Sequence, residues 1–223
     1  MHTLLPHLCL LCLQRCNAQD IICSDCVASL PKPEHTCMQC GQALTVSAEA
    51  CCQCLKKPPQ SDETIAGFSY AGAIAKLVIG FKFHHQFHAG RFLAQHLADC
   101  IQTAYATRQQ PQVLIPIPLH WSRQLQRGYN QSIWIARRLS QALDIPIDNH
   151  CCRRQKATRR QSDLTYAARK KNVAQAFEIK PITYHHVAVI DDVVTTGHTV
   201  NALATLLKRQ GVEHVAVWCL ARA

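Results

Sequence analysis

Acidic residues are scarce in this chain. There are 14 Asp and Glu against 24 Lys and Arg, so the formal net charge is +10, with 13 further histidines. That imbalance argues against a cationic partner and favours polyanions such as phosphates, nucleic acid or acidic lipid, although a basic surface can serve solubility alone. Long apolar runs are lacking too. No stretch approaches the roughly 18 residues a membrane-spanning helix needs, so no span is expected. The first residues, "MHTLLPHLCLLCLQRC", have a short apolar run but no basic segment before it, and cysteines at metal-binding spacing lie inside. A signal peptide or lipoprotein anchor is therefore not expected, and the chain reads as cytoplasmic. Disorder is excluded by composition, since 48% of residues are apolar and 17% charged.

Cysteine is abundant instead, and unevenly placed. Ten of the fourteen precede residue 55. Cys9, Cys12, Cys23 and Cys26 form two C-x-x-C pairs, and Cys37, Cys40, Cys51 and Cys54 repeat them with a shift of 28 positions. In a reducing compartment such quartets signal metal rather than disulfides. Four thiolates close a tetrahedral zinc site with no open position, which makes the metal structural, with one or two ions expected. The pairing, within each quartet or crossed between them, stays open. Cys16 and Cys52 are left over. So short a region has little apolar core, and zinc, worth about 10–16 kcal/mol in isolated finger peptides, would supply most of its folding energy. Residues 1–57 thus read as a double zinc-ribbon domain, 58–66 as a linker marked by Pro58 and Pro59, and 67–223 as a larger domain.

In the larger domain, apolar strands alternate with amphipathic helices. "TIAGFSYAG", "QVLIPIPLH", "VAVIDD" and "HVAVWCLA" read as strands. "AIAKLVIGFKF", "GRFLAQHLADCIQTAYA", "NQSIWIARRLSQALD" and "HTVNALATLLKRQG" read as helices, the third with Asn130 as N-cap and the last ended by Gly211. The pattern predicts an α/β fold with a parallel sheet covered by helices on both faces. Ligands of such sheets bind beyond the carboxyl ends of the strands. There the chain places Asp191 and Asp192, which would face opposite ways on a strand but past its end can both turn towards a ligand, followed by Thr195-Thr196-Gly197-His198-Thr199. Paired carboxylates can accept from ribose hydroxyls or hold Mg²⁺, and a Gly-containing loop opening a helix suits a phosphate. Solvated acids beside an ordinary helix cap are the plain alternative. Of the histidines, His84, His85 and His88 cluster, and His185 and His186 read as loop residues before a strand.

On these residues the chain resembles the ComF family, and "VAVIDDVVTTGHTV" resembles the phosphoribosyl pyrophosphate (PRPP) loop of type I phosphoribosyltransferases. The likeness runs nearly end to end, through the cysteine ribbons, "LVIGFKF", "LIPIPLHWSRQLQRGYNQS", "RRQSDLTYAARKKNVAQAF" and "VWCLAR". It implies a type I phosphoribosyltransferase fold behind zinc ribbons, and a role in natural competence, with single-stranded DNA and other DNA-uptake proteins at the inner membrane as partners. It implies that Asp191 and Asp192 contact ribose hydroxyls and Mg²⁺, and that Thr195, Thr196, Gly197, His198 and Thr199 cradle the 5-phosphate. Residues 116–120, among them Pro118, Leu119 and His120, would match the pyrophosphate loop, with Lys82 near it and with Arg123, Arg127 and Asn130 in the basic segment that follows. Thr195 stands where purine phosphoribosyltransferases carry an aspartate that acts on the base. The resemblance therefore supports PRPP binding more than base transfer, and an acceptor for an active Mg-dependent phosphoribosyltransferase is unknown. A zinc-dependent protein-interaction scaffold is the third possibility.

"CCRRQKATRRQSDLTYAARKKN" holds eight Lys or Arg and one Asp. Arg153, Arg154, Arg159, Arg160, Arg169, Lys170 and Lys171 would form a solvated loop, a hood over pyrophosphate, or a track for single-stranded DNA on which Tyr166, with Trp121 and Tyr129 nearby, could stack.

Overall fold

The computed structural model describes residues 7–17, 20–119, 125, 127–154 and 177–223. In chain order its elements are α1 (Ser24–Ala28), β1 (His35–Thr36), β2 (Ala43–Leu44), α2 (Cys52–Lys56), β3 (Glu63–Ser69), α3 (Gly72–His84), α4 (Phe87–Ala104), β4 (Val113–Pro116), α5 (Gln131–Leu143), β5 (Cys152–Arg154), β6 (Phe177–Ile179), β7 (His186–Val194), α6 (His198–Arg209) and β8 (His214–Arg222). The four long strands form one sheet in the order β3-β8-β7-β4, and every pairing in it is parallel.

The sheet is covered on both faces, and the strands show why. Along β7 and β8, Ala188, Ile190, Ala216 and Trp218 face one core, while Val187, Val189, Val215 and Val217 face the other. Successive strand side chains point to opposite faces, so a continuous apolar run fills two layers at once. The first layer holds α3, α4 and α5. The stripe Ala89, Leu93, Leu97 and Ile101 on α4 recurs every four residues and is buried throughout. Gly90 lets α3 come close, since a Cβ there would sit 2.5 Å from the Phe81 ring. The second layer holds α6 and the antiparallel pair β5–β6.

β3 begins at Glu63, inside the stretch read as a linker, because its first residues already pair with Ala216 and Val217 of β8. The cysteine-rich segment is tied down along its length. Cys9, Ile22 and Leu30 join the first core. Thr64 donates through its backbone N–H to the Met38 carbonyl (2.8 Å) and through its hydroxyl to the Gln39 carbonyl (2.8 Å). Among the described residues, no helix is long and apolar enough to cross a membrane.

Candidate functional site

β4 stops at Pro116, in register with Ile190, while β7 continues beside β8 to Val194. Asp191 and Asp192 therefore lie inside β7, not at its end, at the first positions that β4 no longer covers. A cleft of about 310 Å³ opens there, lined by Tyr70, Lys82, Ile117, Leu119, Arg127, Gln131, Ser132, Arg154, Asp191, Asp192, Val193, Thr195 and Thr199. This is the carboxyl end of the sheet, where ligands of open α/β folds bind.

Although they lie within the strand, the two carboxylates turn towards one cleft. Both take partners from the same helical layer. Lys82, at the end of α3, lies 2.8 Å from Oδ1 and 2.7 Å from Oδ2 of Asp192. Its position follows from its neighbour. Phe81 is fully buried against Tyr129 and Trp134, at centroid distances of 5.7 and 5.0 Å, and Tyr129 donates its hydroxyl to the Phe81 carbonyl. Asp191 accepts from the Ser132 hydroxyl (3.3 Å) and from the Asp192 backbone N–H (2.9 Å). Ser132 is held by Asn130, which caps α5 as expected: its side-chain oxygen accepts from Ser132 N at 2.9 Å, and its amide donates to the Ile117 carbonyl at 3.1 Å.

The adjacent carboxylates are tolerable here because a cation compensates one of them and the other is held partly protonated. Lys82 neutralises Asp192. Burial pushes the Asp191 carboxyl up to about 7, the Asp192 charge adds to the effect, and Lys82 opposes it. The cleft thus holds one carboxylate paired with Lys82 and one whose charge changes near neutrality, both with hard oxygen donors of the kind Mg²⁺ prefers.

The loop after β7 divides between two hollows. Thr195 and Thr199 line the cleft. Thr196, Gly197 and His198 line a second hollow of about 240 Å³, shared with Cys40, Cys54, Lys57 and Arg222. Gly197 adopts φ 73°, a left-handed conformation that favours glycine, and turns the chain into α6. The helix already begins at His198, whose Nδ1 is 2.9 Å from the Thr196 hydroxyl. Arg222 braces the loop, donating through Nη1 to the Val194 (3.2 Å) and Thr195 carbonyls, and through Nε to the Cys40 carbonyl (2.8 Å).

Of the sequence-predicted residues, Lys82, Leu119, Arg127, Arg154, Asp191, Asp192, Thr195 and Thr199 meet in the cleft. Arg154 stacks over Phe177 (5.3 Å) and Arg127 over Phe83 (4.9 Å). Pro118 and Arg153 do not line the cleft. His120, Arg123, Arg159, Arg160, Arg169, Lys170 and Lys171 lie outside the described residues, as do Trp121 and Tyr166. Ile117, inside the turn matched to the pyrophosphate loop, also lines the cleft, whereas Tyr70, Gln131 and Ser132 were not singled out. Tyr70 immediately follows β3, and a rule that scans every strand's carboxyl end would have found it. His186 begins β7 and does not belong to a loop.

The cysteines close the pairing question. Each quartet gathers its own four sulfurs, all within 4.8 Å of one another. The Cys12–Cys23, Cys40–Cys51 and Cys37–Cys54 sulfurs lie 3.7, 3.8 and 3.9 Å apart. A tetrahedron with zinc–sulfur bonds of about 2.3 Å has edges of about 3.8 Å, so both quartets fit zinc. Backbone amides support the sulfurs: Cys23 N donates to Cys9 Sγ at 3.4 Å and Cys51 N to Cys37 Sγ at 3.2 Å. Burial opposes ionisation of Cys9, but hydrogen bonds from the Cys12, Cys23 and Leu11 backbone prevail and bring its thiol down to about 6.

Comparison with known proteins supplies the family context. The phosphoribosyl transferase domain matches residues 130–223. Competence protein F of Haemophilus influenzae is 39% identical over 175 residues, 76% of this chain and 76% of that protein. DNA utilization protein YhgH of Escherichia coli K12 is 34% identical over 173 residues, 75% of each. A purine phosphoribosyltransferase from Pyrococcus horikoshii overlays 61% of this chain and 75% of its own at 22% identity, with a TM-score of 0.37, too loose a likeness to carry an argument.

Proposed function

The chain belongs to the ComF family, and from that we propose that it binds PRPP, or a closely related ribose 5-phosphate, with Mg²⁺ in the β7 cleft, and single-stranded DNA on its basic surface, in support of DNA uptake. The observation that carries the ligand half is the cleft itself. Asp191 and Asp192 stand where β4 ends, beside Thr195 and Thr199, with Lys82, Arg127 and Arg154 around the same space. Acids for ribose hydroxyls and a metal, hydroxyls and helix-opening amides for a 5-phosphate, and cations for a pyrophosphate are what such a ligand requires. The DNA half rests on the net charge of +10 and on the named relatives, which are a competence protein and DNA utilization proteins. Cytoplasmic residence and contact with other DNA-uptake proteins at the inner membrane belong to the same reading. Titrating Mg·PRPP and single-stranded DNA separately into the pure protein tests the two halves. Absence of PRPP binding would remove the first and leave the second standing.

Asp191 gives the ligand half a pH signature. Its carboxyl titrates at about 7 in the fold, against about 3.9 in an unfolded chain. The folded state holds the proton more tightly, so this group favours folding at low pH, and the contribution fades as pH rises from about 4 to about 7. Ligand binding has the opposite sign, because metal and ribose hydroxyls need the ionised form. Affinity for Mg·PRPP should rise with pH up to about 7 and then level off, and Asp191→Asn should flatten that rise. Calorimetry at several pH values checks it; a wild-type profile that is flat between pH 5 and pH 8 would count against the assignment.

The DNA half has a salt signature. Arg159→Ala/Arg160→Ala removes two cations from the basic segment. Each phosphate contact on single-stranded DNA contributes about 0.7 to the slope of log K against log salt, so the slope should shrink by about 1.4. Fluorescence anisotropy at several salt concentrations measures this, and an unchanged slope would remove the segment from the DNA surface.

A further inference from the structure

The opposite end of the sheet carries a cluster that ribose and DNA binding leave unused. Glu63, His186 and His214 are the first residues of β3, β7 and β8, three strands that lie side by side. His186 and His214 are register partners, and their rings stand nearly perpendicular with centroids 4.5 Å apart. One ligand atom from each of the three residues lies within 4.8 Å of the other two. His214 Nε2 is 3.6 Å from Glu63 Oε1.

Each residue is held as a ligand would be. Glu63 is 6% exposed; Arg108 takes its Oε2 at 3.0 Å and the Tyr105 hydroxyl donates to Oε1. That fixes the carboxylate with Oε1 on the His214 side. The other His214 nitrogen, Nδ1, lies 4.0 Å from Asp62 Oδ2. Asp62 is itself fixed by Val215 N at 2.7 Å and Lys208 Nζ at 2.8 Å. At 4.0 Å Asp62 makes no hydrogen bond to the ring, and its charge alone favours a cation nearby. His186 Nε2 is enclosed and has no hydrogen-bond partner. An enclosed polar atom without a partner costs free energy and calls for an explanation. A cation beside it supplies one. The His214 side chain is 41% exposed, which gives an ion and a water ligand access.

We propose that Glu63, His186 and His214 form a third metal site, distinct from the cysteine quartets, for a first-row divalent cation of the zinc type. Two imidazoles and one carboxylate suit a borderline ion and leave one coordination position for water. Bound there, the ion fastens the starting ends of β3, β8 and β7. Arg108 offsets the Glu63 charge, so the site binds more weakly than four thiolates do.

The test uses the full chain with both cysteine sites loaded. After equilibration with a modest excess of zinc, mass spectrometry should count one more zinc per chain in the wild type than in His214→Ala. Cobalt added to the zinc-loaded wild type should give a weak visible d–d absorption without a thiolate charge-transfer band, and that signal should vanish in His214→Ala. Glu63→Gln, which keeps the shape of the side chain, is the second variant should His214→Ala fail to fold. Equal zinc content in the wild type and a folded variant, or a cobalt signal that survives the substitution, overturns the proposal.

Discussion

Replacing Cys37 with Ser is expected to remove one zinc per chain and to unfold residues 35–56 while the large sheet persists. The elements of that segment are two strands of two residues each and one helix of five. Nothing so short persists in water by itself, since even helices of about 12 residues are marginal alone. The cross-link is therefore the main source of order, and isolated finger peptides gain about 10–16 kcal/mol from zinc. Cys37 is the most enclosed member of its quartet, at 0% exposure, and its sulfur accepts from Cys51 N at 3.2 Å. A serine oxygen is a harder, un-ionised donor that zinc binds poorly. Metal analysis and amide hydrogen exchange check the expectation. Amides of residues 35–56 should lose protection by several orders of magnitude, while those of β7 and β8 keep theirs. Unchanged zinc content together with unchanged exchange would refute the assignment of a structural site.

The second large effect concerns the cleft. Asp191→Asn/Asp192→Asn keeps the shape of both side chains and removes both charges. Hydrogen bonds to a charged group contribute about 1.5–3 kcal/mol each, so losing two should lower Mg·PRPP affinity by at least about a hundredfold. The substitution also frees Lys82 from its partner on Asp192, which leaves an unneutralised ammonium in the cleft. That ammonium attracts phosphate by itself and sets a floor under residual, metal-independent binding. Single-stranded DNA affinity should not fall, since the substitution removes acids and no cation of the proposed track. Titration of both ligands into a variant shown to be folded separates the cases. Wild-type PRPP affinity in the double variant would sink the site assignment, whatever the DNA result.

Much of this was legible in the sequence, for physical reasons that also explain what was not. The strands β7 and β8 are apolar runs bounded by turns, and their burial on both faces needed no further information. The cysteine repeat marked eight candidate ligands by spacing, yet spacing has no way of expressing which pair meets which; only the sulfur distances within each quartet do. Asp191 and Asp192 were legible as a pair but not in their orientation, because that depends on where β4 stops. Register is a property of two strands, not of one. Glu63, His186 and His214 were invisible as a set for the same reason: they are neighbours only through the order β3-β8-β7. Lys82 was placed near the loop by resemblance, but its pairing with Asp192 follows from how Phe81 seats the end of α3.

The strand order also bears on how the chain comes together as it is made. β8 lies between β3 and β7, and Val215 N reaches Asp62 across 153 residues of sequence. Until β8 has left the ribosome, β3 has no neighbour in the sheet, and the Arg222 brace between the Cys40 carbonyl and the β7 loop does not yet exist. The cysteine quartets, complete within their first 54 residues, can collect metal long before that. Pairings of such long range close slowly. Synthesis therefore lets each cysteine quartet close early and β4 pair with β7 before β8 is made, while β3 joins the sheet only once β8 is available.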